Sequence, residues 1–327
     1  MAPTLFFITG LVLLVLSGDV LVRGAVAIAQ RLHVPAIIVG LTIISMGTSA
    51  PELFVSLQAA LNGAPDLAVG NAIGSNIANA LLVLGLPALV APIYFVEPGA
   101  RRSVVFMLAV TMTFFILASD GVISSFDGWI LLVLFAVYLS YSLAVTQSAR
   151  SASKLAAQAR KIDKAEIDPE TLKTPSVPLS IAYLAFGIIG LGIGAKLTVD
   201  GALGIAHTLG IGQTLVGTTI VALGTTLPEI AATMAAAMRR HSGVAIGNVI
   251  GSNIFNILAI LGLTSIIVPL PVAPQLLRFD LLVMLATSAL LIPMAFIRRP
   301  FGRKIGILLT LTYLAYLYAS FTGLMVG

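Results

Sequence analysis

The sequence predicts an all-α polytopic membrane protein of ten transmembrane helices, arranged as two inverted five-helix repeats. Three observations predict it. The 327 residues are 58% hydrophobic and only 9% charged, with a mean hydropathy of +1.07, which excludes an ordinary soluble protein. The apolar residues gather in stretches of roughly the ~20 residues that a helix needs to cross the ~30 Å hydrocarbon layer. Two polar motifs inside those stretches occur twice in register without a gap, so that Glu52 aligns with Glu229 and Asn79 with Asn256.

The expected spans are 4–29, 35–61, 67–91, 102–119, 127–146, 179–206, 211–238, 243–268, 279–297 and 304–325. The first, Leu5 to Leu16 and beyond, lacks the basic start and small-residue cleavage site of a signal peptide, so it reads as a retained helix. Spans one to five fall in residues 1–146 and spans six to ten in 178–327, joined by a polar linker over 147–177. The first half of the linker has the Ala, Lys and Arg content of a short surface helix, and Pro169, Pro175 and Pro178 interrupt the rest. As a whole it reads as a solvated connection.

Charge fixes the expected orientation. Arg31, Arg101, Arg102, Arg239, Arg240, Arg298, Arg299, Arg303, Lys304 and the linker's basic residues all fall in loops on one side, and the opposite loops hold Arg278 alone. The positive-inside rule then puts the linker in the cytoplasm and both termini outside, in a plasma (inner) membrane protein. Five spans per copy is an odd number, so the second copy must cross the bilayer upside down relative to the first. The basic pI near 9.6 follows from these loops and implies no nucleic-acid partner. The expected surroundings are the lipid bilayer, with the chain acting as a monomer. There is no cysteine, which excludes disulfides, thiolate metal sites and cysteine nucleophiles.

The repeated motifs carry the chemistry. Residues 47 to 52 read Gly-Thr-Ser-Ala-Pro-Glu and residues 224 to 229 Gly-Thr-Thr-Leu-Pro-Glu. A carboxylate within a span marks an ion or proton site by default, and two at equivalent places in a duplicated chain point to a transporter with its site at the repeat interface. Pro51 and Pro228 lack an N–H and clash with the carbonyls of Gly47 and Gly224, so both spans are expected to kink or unwind. Thr48 with Glu52, and Thr225 with Glu229, are four apart and share a helical face. Downstream, GNAIGSNIAN (70–79) and GNVIGSNIFN (247–256) set Ser75 with Asn79 and Ser252 with Asn256 at the same spacing. Their glycines suit close helix approach, which packing alone also explains.

Such a set offers only oxygen ligands, which suits hard cations such as Ca²⁺ and Na⁺ and not soft or imidazole-preferring metals. Two glutamates neutralise one Ca²⁺, and Na⁺ ions or protons match them equally. Asn71, Asn76, Asn248 and Asn253 read as interhelical hydrogen-bonding residues rather than ligands. Asp19 with Arg23, and Lys196 with Asp200, are i,i+4 pairs that read as structural ion pairs. His33, His207 and His241 fall near span ends, with nothing to draw them together.

The two motifs, each in both halves, resemble the α-repeats of the cation/calcium exchanger superfamily, which includes sodium/calcium exchangers, and the resemblance covers essentially the whole chain. It implies a compact ten-helix antiporter with central cation sites between spans two, three, seven and eight. It implies Ca²⁺ held by Glu52 and Glu229 with the main-chain oxygens of Thr48 and Thr225. It implies Na⁺ sites drawing on Ser49, Thr226, Ser75, Ser252 and Asn79 with the backbone oxygens of Ser45 and Ala222, and spans one and six sliding as the gating pair. Some members carry Asp where this chain has Asn256, so two carboxylates stand here in place of three. No cofactor is implied beyond the transported ions, Ca²⁺ with Na⁺ or H⁺. Na⁺/Ca²⁺ exchange leads, with H⁺-coupled Ca²⁺ antiport as the nearest rival and a cation channel as a different class. An intramembrane enzyme lacks support, with no Cys and no HExxH sequence.

Overall fold

The computed structural model describes residues 2–95, 99–161, 175–208, 222–297 and 300–322. Its helices are α1 (Ala2–Leu32), the bent pair α2 (Ala36–Thr48) and α3 (Ala50–Leu61), α4 (Pro65–Val90), α5 (Ala100–Leu117), α6 (Ser125–Lys161), α7 (Val177–Thr208), α8 (Ala222–Met238), α9 (Ser242–Ile267), α10 (Leu276–Ile297) and α11 (Arg303–Thr322). Among the described residues seven helices are long and apolar enough to cross a membrane, or eight with α2 and α3 taken as one span. The expected seventh span begins in residues 211–221, outside the described residues, and its remainder forms the 17-residue α8. The tenth corresponds to α11, whose 20 residues begin on Arg303 and Lys304.

Burial follows solvation by hydrocarbon. Phe126, Trp129, Val133 and Val137 of α6, and Leu5, Ile8, Val12 and Val15 of α1, are exposed, while Glu52, Asn76, Glu229 and Asn248 are buried. Apolar side chains outside and polar ones inside is the arrangement a bilayer stabilises. The most enclosed elements are α4 and α9, and every residue from Ser242 to Phe255 is buried.

Close backbone approach sets the packing around them. A β-carbon at Gly194 would stand 3.0 Å from the Leu14 amide nitrogen, and one at Gly187 2.6 Å from Leu21 Cβ. Numbers rise along α1 as they fall along α7, so the two are antiparallel neighbours. They are also equivalent elements of the two sequence copies. On α9, a β-carbon at Gly247 would lie 2.5 Å from the Ile37 carbonyl oxygen, and one at Gly251 2.5 Å from that of Leu41, so the packing role of these glycines holds for the second copy. No described residue approaches Gly70 or Gly74 in this way; the segment equivalent to residues 37–44 lies outside the described residues.

The termini of the helices follow local chemistry. Ser124 and Asp127 cap α6 reciprocally, with the Ser124 backbone N–H donating to Asp127 Oδ2 at 2.8 Å and the Asp127 N–H to Ser124 Oγ at 3.3 Å. Helix α6 runs unbroken through residue 146 to Lys161, so the surface helix expected in the linker is a continuation of the fifth span rather than a separate piece. Residues 162–174 lie outside the described residues.

Two short pairings, absent from the all-helical expectation, tie loops together. Strand β1 (Val122–Ile123) pairs antiparallel with β2 (Leu270–Pro271), and Ile93 bridges Phe301. Ile93 and Leu270 are equivalent positions of the two copies, offset by the same 177 residues that separate Asn76 from Asn253.

Candidate cation site

The break comes where the sequence places Pro51. The hydrogen-bond ladder loses the Pro51 donor, Ser49 leaves the helical region at φ −87° and ψ 9°, and α2 meets α3 at 44°. In the second copy the outcome differs: Pro228 sits inside an uninterrupted helical stretch. Equal motifs therefore have unequal local structure.

The two motifs nevertheless meet. Ser49 Oγ donates to Glu229 Oε1 at 2.8 Å, and Thr48 Oγ1 donates to Asn248 Oδ1 at 3.2 Å. Both bonds cross from one sequence copy to the other. Glu52 and Glu229 are each 1% exposed. Ser45, Thr48, Ser49, Thr226, Ser75, Ser252, Asn79 and Asn256 are buried with them, whereas Thr225 is partly buried and bonded. The backbone of Ala222 opens α8; its side chain lies outside the described set. The Ser45 carbonyl stands 3.3 Å from the same Thr48 Oγ1 and shares its single hydrogen with Asn248 Oδ1.

Several buried oxygens in this neighbourhood have no hydrogen-bond donor among the described residues: Glu52 Oε2, Glu229 Oε2, Asn79 Oδ1, Asn253 Oδ1, Asn256 Oδ1 and Ser252 Oγ. Buried acceptors are normally satisfied, and each one left alone costs about 1–3 kcal/mol. Their chemistry, carboxylate, amide and hydroxyl oxygen, matches what a hard cation takes. No group of three or more His, Cys, Asp or Glu side chains placed to hold a metal ion occurs among the described residues. The acidic content of the centre is therefore the matched pair.

Wide π-helical turns add a feature with no sequence signal. Among the described residues they cover Gly40–Ile44, Asn79–Val83, Asn256–Leu261 and, at the start of α10, Leu276–Asp280, so Asn79 and Asn256 each open one at the inner face. Such turns are rare and concentrate at functional sites, because one extra residue re-aims the side chains and loosens the carbonyl ladder. In the first, Tyr138 of α6 donates its hydroxyl to the Leu41 carbonyl at 2.9 Å.

The asparagines read as interhelical hydrogen-bonding residues do that. Asn76 Nδ2 donates to the Asn253 carbonyl at 3.2 Å, and Asn256 Nδ2 to Asn76 Oδ1 at 3.0 Å. Asn71 Nδ2 donates to Ser56 Oγ and Asn248 Nδ2 to Thr233 Oγ1, both at 3.0 Å. Ser56 and Thr233 were missed, although a hydroxyl four residues after each glutamate was visible in both copies. The ion pairs form as expected: Arg23 to Asp19 and Lys196 to Asp200, each at 2.9 Å. Asp19 also pairs with Arg239 at the end of α8, which spacing alone did not reveal. His33 and His241 stand in the loops after α1 and before α9, and His207 in the last turn of α7.

Known proteins resemble this chain along nearly its whole length. One protein-family model, described as sodium/calcium exchanger protein, matches residues 2–144 and again 179–322. The inner membrane protein YrbG of Escherichia coli K12 is 36% identical over 96% of this chain and 96% of its own length. The sodium/calcium exchanger MaX1 of Methanosarcina acetivorans is 32% identical over 97% and 98%. A solved structure of the sodium-calcium exchanger NCX_Mj, soaked without Na⁺ and Ca²⁺, superposes with a TM-score of 0.81 at 34% identity, over 97% of this chain and 98% of that one.

Proposed function

The chain belongs to the sodium/calcium exchanger family, integral membrane transporters and not enzymes, and we propose that it exchanges Ca²⁺ for Na⁺ by alternating access at the buried site between Glu52 and Glu229. One observation carries this reading: the two carboxylates come from matched motifs, converge from opposite halves, and each keeps an Oε2 that no described group hydrogen-bonds. Ca²⁺ takes the two carboxylates with the main-chain oxygens of Thr48 and Thr225. Na⁺ takes Ser49, Thr226, Ser75, Ser252 and Asn79, with Asn256 beside them and the backbone oxygens of Ser45 and Ala222. Two negative charges balance one divalent ion or two monovalent ions, so rival cations compete for overlapping ligands. That competition is the coupling.

Alternating access follows from ten spans in two inverted repeats. Support comes from the antiparallel packing of the equivalent helices α1 and α7, the equivalent loop pairings, and the contact of Thr111 with Ser288 at 3.4 Å, residues 177 apart like Asn76 and Asn253. Helices α1 and α7 slide together as the gate. Both termini lie outside and the linker is cytoplasmic, in the plasma (inner) membrane, with the monomer as the working unit.

The test is radioactive Ca²⁺ uptake into liposomes containing the purified protein, loaded with Na⁺ and diluted into Na⁺-free buffer at clamped pH. Uptake that disappears without the Na⁺ gradient is the expected result. Uptake driven only by a pH gradient replaces Na⁺ with H⁺, and single-channel conductance without counterflow overturns antiport.

A further inference from the structure

Asn71 and Asn248 make the same two contacts in the two halves. Each amide nitrogen donates to the hydroxyl one turn beyond a glutamate, Ser56 or Thr233, and also reaches that glutamate's own carbonyl, at 3.4 Å for Glu52 and 3.5 Å for Glu229. An NH₂ group has two hydrogens, and these two acceptors use both. The turn that carries each carboxylate is thereby held from the neighbouring helix, Glu52 of α3 from α4 and Glu229 of α8 from α9.

Asn248 does more. Its Oδ1 accepts from Thr48 Oγ1 at 3.2 Å, directly before the break that aims Glu52. One amide on α9 therefore grips α8 below Glu229 and α2 beside the first motif, joining the halves at the level of the carboxylates. It is fully buried, and the backbone around it has no slack, since a β-carbon on Gly40 would stand 3.1 Å from the Asn248 nitrogen. Its polar atoms are engaged by protein partners, unlike the Oδ1 atoms of Asn79, Asn253 and Asn256, which have none among the described residues.

We propose that Asn71 and Asn248 are positioning residues for the two glutamates, and that Asn248, by tying Thr48 to the Glu229 turn, sets the separation of the carboxylates and so the site's preference among divalent cations of different size. The proposal rests on the assignment of the cation site to Glu52 and Glu229. Discrimination between oxygen-liganded cations depends on cavity size and ligand rigidity, and a partner that orients ligands without touching the metal typically controls affinity by about 10–100-fold.

The experiment is equilibrium binding of Ca²⁺ and of the larger Sr²⁺ to purified protein in lipid nanodiscs. It compares the natural sequence with Asn248→Ala, Thr48→Val and the double variant. Thr48→Val keeps the main-chain oxygen and removes the bond between halves, together with the 3.3 Å contact of the same hydroxyl with the Ser45 carbonyl of its own helix. Asn248→Ala is expected to weaken Ca²⁺ by about 10-fold or more and Sr²⁺ by less, with the double variant no worse than Asn248→Ala because both remove one shared bond. Equal weakening of both ions, or strictly additive effects, overturns the proposal, and so does unchanged binding. If Asn248→Ala does not fold, Thr48→Val alone must still shift the Ca²⁺ to Sr²⁺ ratio. Absence of Ca²⁺ binding by the natural sequence refutes the site assignment itself. Binding that the variants leave intact refutes only the positioning role.

Discussion

Ser49 donates its hydroxyl to Glu229 Oε1 at 2.8 Å, although the two residues stand in different copies of the repeated motif, 180 positions apart. The bond leaves Oε2 of the same carboxylate without a described donor. One oxygen is held by the opposite half and the other has no described partner. In the proposed exchange cycle a cation on that oxygen would touch both halves at once, and closure of one half would be coupled to the position of the other.

Loss of either carboxylate should stop transport. Glu52→Gln and Glu229→Gln keep the shape but leave one negative charge to balance a divalent ion in a low-dielectric centre, where an uncompensated charge costs several kcal/mol. Ca²⁺ flux in proteoliposomes is expected to fall at least about 100-fold in each. Normal flux in both variants would remove the site from these residues.

Ser49→Ala tests the crossing bond. A hydrogen bond to a charged acceptor is worth about 1.5–3 kcal/mol, so the half-saturating Na⁺ concentration should rise roughly tenfold with the protein still folded. Titration of Na⁺-driven Ca²⁺ uptake measures it, and an unchanged Na⁺ requirement contradicts the assignment of Ser49.

Helix α7 gives a test of the gating surface with its own control. A β-carbon at Gly190 would collide with Ser17 Oγ of α1, whereas no described atom lies within 4 Å of one at Gly192. Gly190→Val should therefore cost about 1–3 kcal/mol by overpacking and lower both Tm and flux, while Gly192→Ala changes neither. Thermal melts of the purified variants, with uptake assays beside them, distinguish the two.

Acid should loosen the start of α9. Burial, and then the positive charge of Arg239, hold His241 below the ordinary 6.5. A base whose folded-state value is depressed favours the unfolded chain once protons are taken up. Its stability contribution is complete above pH 6.5 and declines as pH falls below that value. His241→Gln should flatten the decline of Tm with pH in this range, and an equal slope in both proteins argues against His241 as its source.

Much of the architecture was legible because a bilayer imposes strong rules. Hydropathy located the apolar helices, and doubled motifs located the carboxylates, since charge at membrane depth has few structural uses. The Asp19–Arg23 pair followed from helical spacing alone, and the structure forms it at 2.9 Å. Arg239 as a further partner of Asp19 did not, because its approach depends on how α8 packs against α1.

Proline illustrates the limit at a single residue type. Pro51 and Pro228 occupy equal places in equal motifs, yet α2 and α3 separate at 44° while α8 continues through. The missing N–H is a property of the residue; whether the helix bends depends on what neighbouring helices offer the freed carbonyl. The π-helical turns at Asn79 and Asn256 are of the same kind, with no local code that marks them. Covalent chemistry and the cost of burying charge thus let the sequence by itself determine that two glutamates lie on duplicated apolar helices among hydroxyl and amide side chains. Only tertiary structure decided that Ser49 reaches Glu229 and that Asn248 joins Thr48 to the opposite half. The Asn248 contact lies where α9 approaches α2 at Gly247 and Gly251, and in both contacts packing across the two halves, not the order of residues along either, sets which side chains meet.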